Sequence, residues 1–512
     1  MADPRQKDWW GHPALLLLVV FLAGMPLWHP LVPPLIDLPA HMGRYAVQVD
    51  AGHSPLLARW YAFDWHWIGN LGVDLLVQVL APVFGVEAAT KWTVVAIPML
   101  GAAGFLAVAR EVHGRIPATA FLALPLLWSY PFLWGFVNFA LAMALAFLAF
   151  ALWLWLGRRG FYRLRFVLFL GVSLLLWTAH IYGWALLCVL VGCVELVRAG
   201  LFDQAGVRAI GRAVAHSLCL LPPLVPMLLT FSAGGAGGQP FAHGWFNFAI
   251  KARWVESVLR DRWSTFDQLS LILLLLVLFG ALGRWAWQWQ RPSGLPLALA
   301  ALVLALFYLL LPHALLGSAY ADMRLLPYML AVAVLAIGPM LSGASPVAVA
   351  ALAFYGLRLG ATTYSMVLYN ESYRAEVGAI DHLPAGARVV ALVGKPCAPE
   401  WAVHRLDHLP SLAIIRRHAF VNDQWQAAGA QLISVRYRAT APFLADPSQF
   451  VVEPRCERPE RRAFGRAIAL IPRDAVDYVW VIQQPDAPAD MTGLVPVWRA
   501  GRSALYRVVT TG

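Results

Sequence analysis

Acidic and histidine side chains follow directly after the first long apolar segment of the chain. The sequence from Ile36 to His41 reads Ile-Asp-Leu-Pro-Ala-His. Asp37 and His41 are four residues apart, so a helix through this segment brings both to one face. A carboxylate in such a position can act as a general base that takes a proton from a hydroxyl group. We therefore predict Asp37 and His41 as catalytic residues.

The same segment also has a structural interpretation. Asp is a preferred N-cap residue and Pro is favoured in the first turn, so Asp37 could cap a helix that starts near Pro39. Capping and catalysis do not exclude each other. Arg44 and Asp64 follow in the same polar and aromatic loop, which suits the binding of a sugar or a lipid headgroup. We predict that both bind substrate or carrier.

Basic residues of later loops could bind a leaving phosphate, because its growing negative charge calls for a nearby cation. Lys251 and Arg253 lie in a segment whose spacing also suits an amphipathic surface helix without a catalytic role. We also predict that Asp322 and Arg324 bind the substrate or its carrier. Arg324 begins an apolar span. It either contacts the carrier phosphate, or forms a structural ion pair with Asp322, or extends to the membrane interface.

Two further polar residues lie at the outer ends of predicted spans. Asn138 follows a tight turn, and His180 lies between two apolar segments. Both are candidates for lining the site, although a lone histidine at a helix end is usually only interfacial.

Histidines and acids of the C-terminal part follow no recognised metal-binding spacing. They are His404, His408, His418, Asp407 and Asp423. We interpret this part as recognising the acceptor or forming a lid, and we predict no metal site.

The composition decides the class of protein that positions these residues. The 512-residue chain is 60% hydrophobic and 13% charged, whereas soluble domains are about 45–50% apolar and about 25% charged. Segments 140–156 and 269–282 hold no charge, and a helix of roughly 20 such residues spans a bilayer. The net charge of +11 agrees with basic cytoplasmic loops rather than with binding of nucleic acid.

The apolar segments predict about eleven transmembrane helices, beginning with a retained first helix. They are roughly 13–31, 91–110, 116–131, 137–157, 166–179, 182–198, 213–231, 267–284, 295–312, 325–341 and 345–363. The basic loops place the N-terminus in the cytoplasm and the loops 32–90 and 232–266 outside. An odd number of spans also places the C-terminus outside.

The composition changes after the last span. We predict a multi-span domain over 1–363 and an extracytoplasmic α/β domain over 364–512. Short runs rich in β-branched residues at 387–393, 478–484 and 504–509 predict strands, and 410–430 predicts a helix. Cys397 and Cys456 could form a disulfide if this domain is extracytoplasmic.

The order of these features resembles the GT-C superfamily of membrane glycosyltransferases. It consists of one span, an outer loop opening with Asp-Leu-Pro-x-His, amphipathic segments, further spans and a C-terminal α/β domain. The resemblance implies that a sugar passes, with inversion, from a polyprenyl-phosphate carrier to a lipid or glycan acceptor on the outer face, with Asp37 as the base. Many members carry two adjacent acids, whereas Asp37 has no acidic neighbour, so the sequence supports neither a divalent metal nor another cofactor.

Two other functions agree with the same sequence. One is a transporter or flippase of a lipid-linked substrate, for which polar residues should continue through the bundle. The other is a non-catalytic assembly protein of GT-C architecture. The charged residues lie mainly near the outer ends of the predicted spans, which favours chemistry at the membrane surface over transport. We predict that the protein lies in the bacterial inner membrane.

Overall fold

Helices form most of the chain because a backbone within hydrocarbon must satisfy its hydrogen bonds internally. The computed structural model describes residues 8–202, 206–232, 242–288, 293–315, 318–340, 342–426 and 430–509. In chain order, its α-helices are α1 (Pro13–Leu22), α2 (Leu38–Asp50), α3 (Pro55–Trp60), α4 (Gly72–Phe84), α5 (Val86–His113), α6 (Tyr130–Trp134), α7 (Val137–Arg158), α8 (Tyr162–Ala179), α9 (Ile181–Arg198), α10 (Gly206–Ser217), α11 (Leu224–Ser232), α12 (Phe248–Glu256), α13 (Ser264–Gln288), α14 (Leu295–Leu310), α15 (Ala321–Leu335), α16 (Ala344–Val377), α17 (Leu412–Arg417) and α18 (Phe464–Ala469).

Within the described ranges, six helices are long and apolar enough to cross a membrane. They are Val86–His113, Val137–Arg158, Tyr162–Ala179, Ile181–Arg198, Ser264–Arg284 and Ala344–His382. Shorter apolar helices accompany them at Pro13–Leu27, Gly72–Phe84, Ala118–Trp134 and Leu295–Leu310. The predicted polytopic helical class is confirmed, and the number of about eleven spans stays a prediction.

Three predicted spans are not continuous α-helices. In segment 13–31, α1 ends at Leu22 and the separate 3₁₀ helix Met25–Leu27 follows. Segment 116–131 contains a 3₁₀ helix, Ala118–Trp128, followed by α6. Pro125 lies inside that 3₁₀ helix, where it has no N–H for an α-helical hydrogen bond. Segment 213–231 is divided between α10 and α11 by the 3₁₀ turn Leu218–Leu220 and the prolines that follow it.

The chain divides into two compact units. The first comprises Met1–Trp28, Trp67–Val73 and Thr93–Tyr364. In it α7 packs against α8 and α9. A Cβ atom at Gly183 would lie 2.6 Å from the main-chain oxygen of Ala142, so only glycine permits this approach of α9 to α7.

The second unit joins the first-loop segments His29–His66 and Asp74–Trp92 to Ser365–Gly512. The strands of the chain, in order, are β1 (Tyr61–Phe63), β2 (Ala242–His243), β3 (Ala314–Leu315), β4 (Ser318–Ala319), β5 (Arg388–Gly394), β6 (Phe420–Val421), β7 (Ile433–Val435), β8 (Phe450–Val452), β9 (Arg462–Ala463), β10 (Tyr478–Ile482), β11 (Leu494–Ala500) and β12 (Ser503–Val508). The short strands β2, β3 and β4 belong to the first unit, and the others belong to the second.

A mixed sheet forms the core of the second unit, in the order β11-β12-β10-β5-β8-β9, with β6 also pairing with β5. The central pair β5 and β10 is parallel, whereas β10, β12 and β11 pair in antiparallel fashion. All residues of β5 after Arg388 are buried, as expected for a strand covered on both faces. A small antiparallel pair joins β1 of the first loop to β7.

The strands predicted at 387–393, 478–484 and 504–509 are confirmed as β5, β10 and β12. The helix predicted over 410–430 is wrong over most of its length. Among the described residues of this segment, α17 is the one α-helix, preceded by the 3₁₀ helix Leu409–Ser411, and it ends where His418 adopts a left-handed conformation with φ of 50°. Cys397 and Cys456 are joined by a disulfide, with their Cα atoms 5.5 Å apart.

Candidate active site

Asp37 occupies the N-cap position of α2, but its carboxylate makes no capping hydrogen bond. The sequence alternative in which this side chain caps the helix is therefore wrong, although the position is the one expected. Pro39 lies in the first turn, where its fixed φ favours helix formation. The Asp37 side chain is 13% exposed. The start of α2 thus presents a largely buried carboxylate that does not serve the helix backbone.

His408 of the C-terminal segment lies beside Asp37. Its Nε2 atom is 3.8 Å from Asp37 Oδ1 and 3.9 Å from Asp446 Oδ1. Its Nδ1 atom donates to the main-chain oxygen of Asp423 at 3.0 Å. All four residues belong to the second unit. One imidazole therefore contacts two carboxylates from segments far apart in sequence.

Asp423, which is fully buried, stabilises the segment that carries His408. Its carboxylate accepts hydrogen bonds from the backbone N–H of Ser411 at 2.9 Å and from its hydroxyl group at 2.7 Å. Burial raises the pKa of Asp423 to about 7, although the positive His408 and the Ser411 donors oppose this rise. The serine contacts fix the short segment from which His408 projects.

Helix α2 approaches this segment closely at a glycine. A Cβ atom at Gly43 would lie 3.0 Å from Gln424 Nε2 and 3.1 Å from both Ile414 Cδ1 and the main-chain oxygen of Ser411. The amide of Gln424 donates to the main-chain oxygen of Ala40 at 3.0 Å and to Ser411 Oγ at 2.7 Å. Close packing and this bridging amide hold Asp37 and His408 in a common framework.

His41 lies one turn after Asp37 and is 9% exposed. Arg44 Nη2 lies 3.4 Å from His41 Nδ1. Because a guanidinium can only donate, this nitrogen must accept, which leaves the proton of a neutral His41 on Nε2. The His41 ring also contacts the edge of Trp425, with centroids 5.3 Å apart. His41 is thus oriented by Arg44, Trp425 and the stacked ring of Tyr45.

Arg44 has a partner within the protein. Arg44 Nη1 lies 2.7 Å from Asp74 Oδ1, and the two side chains are 1% and 0% exposed. Its contacts favour support of α2 over direct binding of substrate. Asp64 lies at the surface of the second unit, and its backbone N–H donates to Leu432. The predicted binding roles of Arg44 and Asp64 stay predictions.

Asn138 and His180, in the first unit, serve local backbone. Asn138 Oδ1 accepts from the N–H of Val73 at 2.6 Å, and its amide donates to the main-chain oxygen of Asn70 at 2.7 Å. His180 is the N-cap of α9, where its Nδ1 accepts from the N–H of Tyr182 at 3.2 Å. Both contacts organise loop backbone, which favours a structural role for these two residues.

Lys251 and Asp322 form a buried pair in the first unit. The Lys251 ammonium donates to the main-chain oxygens of Tyr308 and Leu311 at 2.8 and 2.7 Å and to Asp322 at 3.2 Å. These acceptors match the three N–H donors of an ammonium group. Lys251 is therefore an ion-pair partner of Asp322, and the pairing of Asp322 with Arg324 that the sequence suggested stays a prediction.

Two arginines of the first unit differ in exposure. Arg324, in the first turn of α15, is 8% exposed, and its guanidinium carbon lies 4.1 Å from the ring centroid of Phe136. Arg253 lies on α12 with its side chain exposed. Arg324 is thus held against an aromatic face, whereas Arg253 is open to solvent or lipid headgroups.

Comparison with solved structures places this framework among known folds. This chain is similar to ArnT from Cupriavidus metallidurans, which was crystallised with bound undecaprenyl phosphate. The match covers 97% of this chain and 97% of the ArnT chain, with a TM-score of 0.53 and 14% sequence identity. The apo form of the same protein matches 96% of each chain, with a TM-score of 0.51 and 14% identity.

The chain has the ArnT fold. ArnT is a GT-C glycosyltransferase, so the predicted GT-C architecture is confirmed as a fold. No protein-family model and no curated protein matches the sequence.

Within the described part of this ArnT-fold chain, no group of three or more His, Cys, Asp or Glu side chains has an arrangement that could hold a metal ion. The predictions that no metal and no other cofactor is needed stay predictions.

His408 and Asp423 stand out in the sequence, but nothing there places them beside Asp37, and Asp446 carries no signal of its own. The only signal was the concentration of histidine and aspartate after residue 403. Spacing along the chain carries no information about which distant segment will fold against the first loop of an ArnT-like protein.

Proposed function

We propose that the protein transfers a sugar from a polyprenyl-phosphate carrier to a hydroxyl group of a lipid or glycan acceptor. The observation that carries this proposal is the ArnT fold over nearly the whole chain, since one of the matching ArnT structures holds undecaprenyl phosphate. The largely buried Asp37 carboxylate at the start of α2 is the accompanying feature of this chain itself.

Asp37 is the general base of the proposed reaction. It takes the proton of the acceptor hydroxyl while that oxygen forms a bond to the anomeric carbon. The bond from this carbon to the carrier phosphate breaks, and its electron pair leaves with the phosphate. Attack opposite to the departing phosphate inverts the anomeric centre.

The departing phosphate gains negative charge, which a cation stabilises. Arg324 and Arg253 are the proposed carrier ligands, because a guanidinium can bind phosphate oxygens through two parallel hydrogen bonds. Lys251 is better suited to hold Asp322 in place, because its three donors have protein acceptors.

The reaction is proposed to occur on the outer face of the bacterial inner membrane. Basic residues in the short predicted cytoplasmic loops support this orientation. The disulfide between Cys397 and Cys456 supports it independently, because disulfides persist in oxidising compartments.

The proposal is tested with purified protein in vesicles and a panel of labelled sugars on undecaprenyl phosphate. We expect transfer of label to an acceptor fraction from at least one donor, together with saturable binding of undecaprenyl phosphate itself. Binding of the carrier without transfer from any donor would favour the non-catalytic or transport alternatives. Movement of the lipid-linked sugar across the vesicle membrane would identify transport.

The orientation makes a separate prediction about cysteine labelling. In intact cells, a membrane-impermeant maleimide should label Cys397 and Cys456 only after treatment with a reductant. Replacing Cys397 by Ser should expose Cys456 to labelling without reduction. Labelling that requires permeabilised cells would place the C-terminal domain in the cytoplasm and contradict the proposed orientation.

A further inference from the structure

His408 is fixed in one tautomer by its backbone contact. It is 5% exposed, and its Nδ1 lies 3.0 Å from the main-chain oxygen of Asp423. A carbonyl oxygen can only accept, so Nδ1 carries a proton. The nitrogen that faces Asp37 and Asp446 is consequently Nε2.

The surroundings of His408 favour its charged form. Burial lowers the pKa of His408, but the carboxylates of Asp446, Asp37, Asp423 and Asp407 together raise it above the ordinary value.

One of these four carboxylates has a cation beside it, and the ring contacts of His408 are uncharged. Asp407 also pairs with Lys395, so its charge is partly compensated. Trp425 and Phe450 contribute uncharged ring contacts to the imidazole. The Nε2 atom thus lies within ion-pairing distance of two carboxylates.

We propose that His408 is a positioning residue that holds one oxygen of the Asp37 carboxylate and leaves the other oxygen to take the proton of the acceptor hydroxyl. This inference rests on the proposed glycosyl transfer. His408 keeps both of its protons throughout, while the hydroxyl proton ends on Asp37 and the bonding electron pair leaves with the carrier phosphate. Asp446 shares the imidazolium and keeps it charged when Asp37 becomes neutral.

Two substitutions separate this role from a merely structural one. An asparagine amide can replace Nδ1 and keep the bond to Asp423, but it does not reach Asp37. A glutamine amide can replace Nε2 as a neutral donor. We expect His408→Asn to lower kcat on the order of 10²-fold with little change in KM, because the base is no longer held in place. His408→Gln should restore part of that loss.

The pH profile gives a readout that a structural role would not move. In the wild type, kcat should fall on the alkaline side as the imidazolium loses its Nε2 proton. Both His408 variants should lack this fall. His404→Gln is the matched control, since His404 lies in the same segment and pairs with Glu400, and it should retain the wild-type profile.

The pairing is also measured without turnover. NMR titration of ¹³C-labelled histidine, assigned by comparison with His408→Gln, should show a lower His408 pKa in Asp37→Asn than in the wild type. An unchanged titration, or a wild-type kcat and pH profile in His408→Asn while Asp37→Asn is inactive, would overturn the positioning role and leave the proposed function standing. If the His408 pKa is lower in Asp37→Asn than in the wild type, but no donor gives transfer, the proposed function is overturned and the positioning role with it.

Discussion

We expect Asp37→Asn to lower kcat for sugar transfer by about 10²- to 10⁴-fold, the range that general-base catalysis contributes. Asparagine has nearly the same shape but cannot take the proton of the acceptor hydroxyl. The substitution should not unfold α2, because the Asp37 side chain makes no capping hydrogen bond. The measurement is the initial rate of transfer from a donor that the wild type uses, at saturating donor and acceptor.

Asp50→Asn provides a matched control in the same loop. The Asp50 carboxylate accepts the backbone N–H of Ser54 at 3.1 and 3.0 Å, and an asparagine oxygen can accept the same bond. This variant should transfer sugar at the wild-type rate. Equal rates in Asp37→Asn and the wild type would remove Asp37 as the base.

We expect Arg44→Met to lower the free energy of unfolding by about 3–5 kcal/mol, the cost of leaving one member of a buried ion pair without its partner. Asp74 is 0% exposed and receives two contacts from the Arg44 guanidinium, at 2.7 and 3.3 Å. Methionine supplies similar bulk but no charge. Denaturation of the detergent-purified protein, followed by tryptophan fluorescence, measures the change.

A double variant tests the assigned cause. Arg44→Met with Asp74→Leu removes both charges and should recover most of the lost stability. Arg466→Met breaks a largely exposed pair with Glu457 and should change the stability by about 1 kcal/mol or less. If the double variant is as unstable as Arg44→Met alone, packing rather than charge explains the loss.

Local patterns of the sequence predicted much of the architecture. Uncharged apolar runs predicted α7 and α13, and β-branched runs predicted β5 and β10, because burial in lipid or in a sheet requires those compositions. The failures also have local causes. Pro125 favours a 3₁₀ helix in place of an α-helix, and the left-handed His418 ends α17 early.

Only part of the candidate site could be predicted from the sequence. Asp37 and His41 could be found because their spacing places them at the start of one helix. His408 and Asp446 could not be assigned, because they reach Asp37 through folding of the C-terminal segment onto α2. The ion pair of Arg44 could not be predicted either, because its partner Asp74 lies on another helix; its binding role stays a prediction.

Gly43 has no side chain, and its close contacts couple two segments that are far apart in the sequence. A Cβ atom there would lie 3.0 to 3.1 Å from Gln424, Ile414 and the main-chain oxygen of Ser411, so a larger residue requires these neighbours to shift by a few tenths of an ångström. Replacements at positions 43, 414 and 424 should therefore appear together during evolution or directed mutagenesis. A chimera that takes its first loop from another chain of the ArnT fold should also take the segment around 409–424, so that the two surfaces fit.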